Sequence, residues 1–220
     1  QSSADVWLSG YVGVWHFNDW NDATSYGGDA TPHNGASLAA TGVILGDASF
    51  SAASRQYAEV INSAHLNVLD TVSVSAWIYL KSLNRDQKII GNQAGSPTGG
   101  GYKFGVYTNN KYEFEIRDAS DVAYLTRGAS TRVLNTNTWY YVSGVYSDVE
   151  NFLKSYYNGA IDATVACTAV MGSSIGTLKI GCEPWAPTTL NFDGYIDELR
   201  VYHGVRTENW FRTEYQNQVK

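Results

Sequence analysis

The chain has 220 residues, a net charge of −6 and only 16 % charged residues, against about 25 % in ordinary globular proteins. Its 44 % hydrophobic content is too high for a disordered chain, and its acidic balance, with a pI near 5.1, argues against a nucleic-acid-binding protein. No uncharged apolar stretch approaches the roughly 18 residues that a membrane span needs, so we expect no membrane insertion.

Short runs of alternating polar and hydrophobic residues, rich in β-branched and aromatic side chains, predict β-strands throughout the N-terminal half. The first run covers Tyr11 to Phe17, and a polar, glycine-rich loop follows it from Asn18 to Gly35. Further strands are expected at 56–61, 71–80, 87–91 and 102–108. Within 71–80 the small hydrophobic side chains share one face, which should pack in the core: Val72, Val74, Ala76 and Ile78.

The C-terminal half continues this pattern, with strands expected at 112–118, 139–146, 152–157, 177–182 and 195–202. Asn109-Asn110 and Asn158-Gly159 lie between consecutive runs and favour tight hairpin turns, because these residues tolerate positive φ. The total is about 11 to 13 strands. One helix is expected, with Thr207 as its N-cap and the helical residues running from Glu208 to about Asn217.

Cys167 and Cys182 are the only cysteines, and two soft ligands cannot complete a zinc site. They either pair as a disulfide, which requires an oxidising compartment, or lie buried as free thiols, and their spacing leaves both alternatives open. The chain begins at Gln1 without an apolar leader. That beginning suggests a mature chain or a domain excised from a larger multidomain protein.

Several segments, taken in chain order, resemble laminin G-like (concanavalin A-like) jelly-roll domains of bacterial and archaeal surface and secreted proteins. The closing segment Phe192-Asp-Gly-Tyr-Ile-Asp-Glu-Leu-Arg-Val-Tyr202 is similar to the last strand of that family. The other matching segments lie at 13–18, 22–31, 70–78, 137–142, 157–159, 178–181 and 206–218. The resemblance implies an all-β, antiparallel two-sheet β-sandwich over residues 1–220 as a single domain, with the first and last strands side by side.

A calcium site is the first functional candidate. Calcium prefers carboxylate, amide and carbonyl oxygens, and the opening loop supplies such groups at Asn18, Asp22 and Asp29. Asp197 lies near this loop if the first and last strands are neighbours. The resemblance implies a structural calcium on Asp22, Asp29 and Asp197. The alternative is that these side chains only cap turns.

Carbohydrate binding is the second candidate, because exposed rings stack on the C–H faces of sugars while polar side chains bind the hydroxyls. Trp185, between two prolines, is the best predicted stacking ring, and Trp20 and Tyr26 also lie in loops. Around the 109–110 hairpin, three further residues could line a groove: Tyr107, Arg117 and Asp118. The alternatives are rim aromatics that cover the core and ordinary cross-strand pairs.

Catalysis is the weakest candidate. Glu113-Phe-Glu-Ile-Arg-Asp118 has acidic residues at offsets similar to those of concanavalin A-like glucanases, but alternation places Asp118 on the face opposite Glu113 and Glu115. We therefore expect a non-catalytic, calcium-stabilised module of a secreted or cell-surface protein that binds a polysaccharide or glycan. The alternatives are an adhesive or structural protein-interaction module and, less favoured, a polysaccharide hydrolase or lyase.

Overall fold

The computed structural model describes residues 6–7, 10–61, 63–95, 99–118 and 125–219, with residues 125–127 described by their backbone only. The strands in chain order are β1 (Tyr11–Trp15), β2 (Ala30–His33), β3 (Ser37–Ala39), β4 (Asp47–Phe50), β5 (Tyr57–Val60), β6 (Thr71–Leu80), β7 (Gln87–Gly91), β8 (Gly101–Val106), β9 (Tyr112–Arg117), β10 (Leu125–Ala129), β11 (Trp139–Ser147), β12 (Phe152–Tyr157), β13 (Ala160–Ala166), β14 (Leu178–Ile180) and β15 (Gly194–His203). A 3-10 turn covers Ala64–Leu66, and an α-helix near the C-terminus, α1, covers Glu208–Gln218.

These strands form two antiparallel sheets, which we call the larger and the smaller sheet. The larger sheet has eight strands in the order β13-β12-β11-β6-β15-β4-β3, with β1 also paired to β15. The smaller sheet has seven, in the order β10-β9-β8-β7-β14-β5-β2. The predicted all-β, two-sheet sandwich with a C-terminal helix is confirmed.

The core lies between the two sheets, and β6 shows how alternation builds it. Val72, Val74, Ala76 and Ile78 are fully buried in the main hydrophobic cluster, as the sequence predicts. They meet apolar side chains of the smaller sheet, among them Phe104 and Phe114.

The last strand, β15, organises the larger sheet. On one side it pairs with β6 along most of its length. On the other side it pairs first with β4, through Ile196 and Ala48, and then with β1, through Leu199 and Trp15. A bulge separates the two parts, and Glu198 there has φ +49°, a left-handed conformation that is rare outside glycine. The predicted pairing of the first and last strands is confirmed.

Helix α1 packs on the outer face of the larger sheet. Thr207 caps it by accepting a hydrogen bond from Trp210 N, as predicted. The ring of Phe211 lies 4.7 Å from that of Tyr156, and Tyr215 stacks on Trp77 with ring centroids 5.6 Å apart.

Both predicted hairpins are present, linking β8 to β9 and β12 to β13, with positive φ at Asn110, Asn158 and Gly159. The cysteines are both buried and free, so the disulfide alternative for Cys167 and Cys182 is wrong. Burial suits a small apolar thiol and raises the pKa of Cys182 well above its ordinary value.

The strand count was predicted too low, because short strands with small or polar residues carry a weak alternation signal. The described residues hold fifteen strands, and the ones that the sequence pattern missed are β2, β3, β4, β10 and β13.

The two sheets approach closely at Gly144 of β11, where an added Cβ would lie 2.6 Å from Phe114 Cβ. We expect Gly144→Ala to lower the free energy of unfolding by about 1–3 kcal/mol, because the core must shift to relieve the overlap. Chemical denaturation checks this. Gly176→Ala, whose Cβ would meet its nearest atom at 3.3 Å, is the matched control. Equal stability of the two variants would contradict the prediction.

Candidate functional site

The outer face of the smaller sheet carries a patch of charged side chains, here called the charged face. On β9 the aromatic residues point into the core, so Glu113 and Glu115 point outward. Lys103 of β8 lies directly opposite Glu115, and Gly105 lies opposite Glu113. Lys103 is only 5 % exposed and Glu115 is fully buried. Charges this deeply buried must be paired to be tolerated.

Lys103 is the centre of this pairing. Its Nζ lies 3.4 Å from Glu115 Oε2 and 3.4 Å from Glu183 Oε1. Tyr107 donates its hydroxyl hydrogen to Glu115, and Lys88 Nζ lies 3.6 Å above the Tyr107 ring. Burial raises the pKa of Glu183, although Lys103 and Lys88 oppose the rise. Burial also lowers the pKa of Lys88 to about 8, against the attraction of Glu115.

Trp185 lies at the edge of the charged face, with its ring 44 % exposed and 5.3 Å from Lys103 Nζ. Its loop is held in place by close backbone contacts. An added Cβ on Gly91 would meet Pro184 Cγ at 2.8 Å, and one on Gly95 would meet Trp185 Cδ1 at 2.9 Å. Only glycine at these positions lets the neighbouring chain lie so close to Pro184 and Trp185.

Three of the predicted sugar-binding residues therefore meet on one face. Trp185, Tyr107 and Arg117 lie on the outer side of the smaller sheet, with Arg117 Nη1 donating to Ala94 O at 3.1 Å. Asp118 follows Arg117 along the chain, so its side chain points to the opposite side of the sheet. The backbone of Asp118 forms an isolated antiparallel bridge with Met171. Lys88, Lys103 and Glu183 were not predicted from the sequence as part of this face. Lys103 alternates with aromatic residues along β8, and that alternation could have indicated an outward-facing lysine.

The other two predicted aromatic residues lie elsewhere. Tyr26 is half-exposed and stacks on His65, with ring centroids 4.7 Å apart. Trp20 packs on the core rim against Phe17 and Phe50. These two rings therefore lie apart from the Trp185 surface, and the contacts of Trp20 are those of an aromatic residue that covers the core rim.

Asp22 and Asp29 hold the opening loop together. Asp22 is buried and accepts four hydrogen bonds: from Val14 N, Thr24 N, Thr24 Oγ1 and Gly28 N. Asp29 accepts from Asp22 N at 2.8 Å. A carboxylate offers about four lone pairs, so Asp22 has none left for a cation. For these two residues the turn-capping alternative matches the structure.

Asn18 and Asp197 meet instead at the bulge of β15, in the gap between β1 and β4. Asn18 Oδ1 accepts from Gly46 N at 3.1 Å, and Asp197 Oδ2 accepts from Ile44 N at 2.9 Å. Ile196 of β15 pairs with Ala48 of β4, and the two strands are antiparallel. The next residue of β15, Asp197, therefore lies beside Asp47, the residue before Ala48. The Asp47 site was not predicted.

Both of these carboxyl groups are fully buried, and Oδ1 of each has no hydrogen-bond partner among the described residues. Burial raises the pKa of Asp197 to about 7. In the part of the chain that the structure describes, no group of three or more His, Cys, Asp or Glu side chains is arranged to hold a metal ion. A cation here would need backbone and amide oxygens as well.

Comparison with known families assigns the fold. The family model described as the concanavalin A-like lectin/glucanases superfamily matches residues 52–210. The chain belongs to this superfamily. A search of curated protein sequences gives no significant match.

Solved structures of this superfamily architecture resemble the domain over nearly its whole length. Domain 4 of an extracellular GH43 arabinanase from Geobacillus stearothermophilus, solved with arabinotriose, has a TM-score of 0.72 at 17 % identity and covers 96 % of this chain and 98 % of its own. The receptor-binding domain of botulinum neurotoxin mosaic serotype C/D has a TM-score of 0.70 at 15 % identity over 95 % of this chain. The binding domain of Paraclostridial Mosquitocidal Protein 1 has a TM-score of 0.72 at 11 % identity over 94 %.

The present chain spans about half, 51 %, of each of these two toxin domains. At such identities the likeness concerns the fold. Within the described ranges, no helix has the length and apolar character needed to cross a bilayer.

We expect Lys103→Met to lower the free energy of unfolding by about 3–5 kcal/mol, because it removes the cation that two buried carboxylates share. Glu183 already has a raised pKa, so its folded form binds a proton more tightly than the unfolded chain does. Part of the loss should therefore return as the pH falls from about 8 to about 5.

Urea denaturation at the two pH values measures this effect. The double variant Lys103→Met/Glu183→Gln is the control and should recover part of the loss at pH 8, since one of the buried charges is then gone. A single variant as stable as the wild type would refute the pairing.

Proposed function

We propose that this domain is a carbohydrate-binding module of an extracellular protein and that it binds its glycan without cleaving it. The observation that carries the proposal is the Trp185 ring, 44 % exposed and held by Pro184 and Gly95 at the edge of a polar face. An exposed indole ring bordered by polar side chains is the kind of surface on which the C–H face of a sugar stacks.

Binding would combine two kinds of contact. The Trp185 ring would stack on the apolar C–H face of a sugar unit, and the partly exposed Arg117 on the same face would donate hydrogen bonds to hydroxyl groups. Lys103 and Glu115 lie too deep to touch the glycan directly, so their role is to keep this face rigid. Such a site binds weakly by itself and gains avidity when it is repeated or attached to another binding domain.

The structural neighbours support a glycan as the ligand. The arabinanase domain was solved in complex with arabinotriose, and cell entry of botulinum neurotoxin type C depends on interaction with two ganglioside molecules. These ligands belong to those proteins, and they guide the choice of probes here.

A glycan array serves as a first screen. Binding of three defined probes, arabinotriose, cellotetraose and xylotetraose, then tests the proposal. We expect Trp185→Ala to weaken binding about tenfold or more and Trp185→Phe to retain part of it, because a smaller ring still stacks. Gly95→Ala should also weaken binding, since its Cβ would displace the Trp185 ring from 2.9 Å away. Titration calorimetry measures each affinity.

Tyr26→Ala is the matched control, because it removes an exposed loop ring outside this surface and should leave binding unchanged. Full affinity in Trp185→Ala would overturn the assigned site. No binding across a broad array would favour the adhesive alternative. Release of sugar products from polysaccharides that disappears in Glu115→Gln would overturn the non-catalytic part of the proposal.

We also propose a structural calcium at the bulge of β15, held by Asp197, Asp47 and Asn18 with nearby backbone carbonyls. The unpartnered Oδ1 atoms of the two buried aspartates fit a hard cation, which would neutralise them where no hydrogen bond does. An added Cβ on Gly42 would lie 2.2 Å from Gly46 O and 2.7 Å from Asp197 Oδ2, so glycine keeps this space open. The cation would supply charge neutralisation and cross-link the loops.

At a free calcium concentration of about 100 times Kd, the melting temperature should be about 5–10 °C higher than in a chelator-treated sample. The reason is that calcium binds only the folded state. Asp197→Asn should abolish the shift. Asp22→Asn should melt earlier in both conditions yet keep the shift, since Asp22 is part of the loop scaffold only. Identical melting with calcium and with chelator would refute the site.

A further inference from the structure

The outer face of the larger sheet carries a row of aromatic rings that neither sheet packs against. Trp139, Tyr79 and Tyr195 are aligned across β11, β6 and β15 by the strand register. Their ring centroids lie 5.6, 5.4 and 6.4 Å apart, and all three side chains are half-buried. We call these residues the aromatic row.

The neighbouring row on the same face, Tyr141 and Trp77, is covered by helix α1 through Tyr215. Between the covered and the open row lies a groove of about 350 Å³, within the usual size of ligand pockets. Its lining is Val43, Trp77, Trp139, Tyr215, Gln218 and Val219. The end of helix α1 thus forms one wall of the groove, and Trp139, the first residue of the aromatic row, forms the other.

Gln218 gives the groove a polar side chain with a fixed orientation. Its side chain is 6 % exposed, and its Oε1 accepts from Trp77 Nε1 at 2.6 Å, which fixes the amide plane. With its oxygen held by Trp77, the side chain has its amide NH₂ as the group that can donate to a ligand in the groove. A ligand that accepts hydrogen bonds would satisfy this donor.

The polar groups along the rim fit the same chemistry. The row continues from Tyr195 to Ser49 and Ser37 across β4 and β3, and Lys81 Nζ lies 3.9 Å from the centre of the Tyr195 ring. Aromatic faces bordered by hydroxyl, amide and ammonium groups complement a sugar, which has apolar C–H faces and hydroxyls at its edges. A lipid or an apolar peptide would leave these groups unpaired.

We propose that this groove is a second carbohydrate site, which binds a short, uncharged glycan segment along the aromatic row. The inference rests on the proposed function and extends it to the opposite outer face of the sandwich from Trp185. Three adjacent strands span about 10 Å, enough for a short oligosaccharide. With sites on both faces, one molecule would bind two separate glycan chains.

The test follows the indole N–H resonances of Trp139, Trp77 and Trp185 by NMR during titration with arabinotriose, cellotetraose and xylotetraose. We expect the Trp139 and Trp77 signals to shift with at least one probe, and to shift in Trp185→Ala as well. Trp139→Ala should weaken this event about tenfold or more, and Trp139→Phe should retain part of it.

A shift of the Trp185 signal when a probe is added to the Trp139→Ala variant shows that this variant still folds, because the Trp185 site exists only in the folded domain. If Trp185 responds to a probe while Trp139 and Trp77 respond to none, the second site is refuted and the proposed function stands. If none of the three signals responds to any glycan, both fail. A stable dimer in analytical ultracentrifugation that Trp139→Ala dissociates would also overturn the inference, because a second copy would then cover the groove.

Discussion

The whole arrangement depends on the change of neighbour along β15. A strand that is bordered by β4 in one half and by β1 in the other must leave a gap where the partner changes. The bulge with its left-handed Glu198 fills that gap with backbone, and it brings Asp197 and Arg200 to their positions. Arg200 then pairs with Glu198 and, at 2.9 Å, with Glu214 of α1, which ties the helix to the sheet.

The low charge content of the chain gains a physical meaning from the smaller sheet. Several of its few charged side chains form a buried network around Lys103 and do not lie on the surface. Hydrophobic residues of similar volume in the same place would often be as stable, so stability alone does not explain the network. Because each ion pair has a defined geometry, the network fixes the side chains that lie beneath Trp185.

Long strands with strict alternation could be predicted from the sequence to the residue. The bounds of β6 agree because ten consecutive residues alternate, and the pairing of β1 with β15 followed from the family resemblance. The predicted strand before Asn18 ends two residues early, at Trp15, because the chain turns at Phe17 with positive φ. Asp47 could not be found in this way, because its importance depends on β4 pairing with a strand some 150 residues away, a contact that local pattern does not encode.

The same limit applies to the site. Trp185 could be recognised from its prolines, but Lys103 joins Glu183 across 80 residues of sequence, so the charged face emerges only from the fold. The free thiols of Cys167 and Cys182 have a further consequence for biogenesis. A native state in which both cysteines stay unpaired contains no disulfide, so reaching it includes no oxidation or disulfide-reshuffling step.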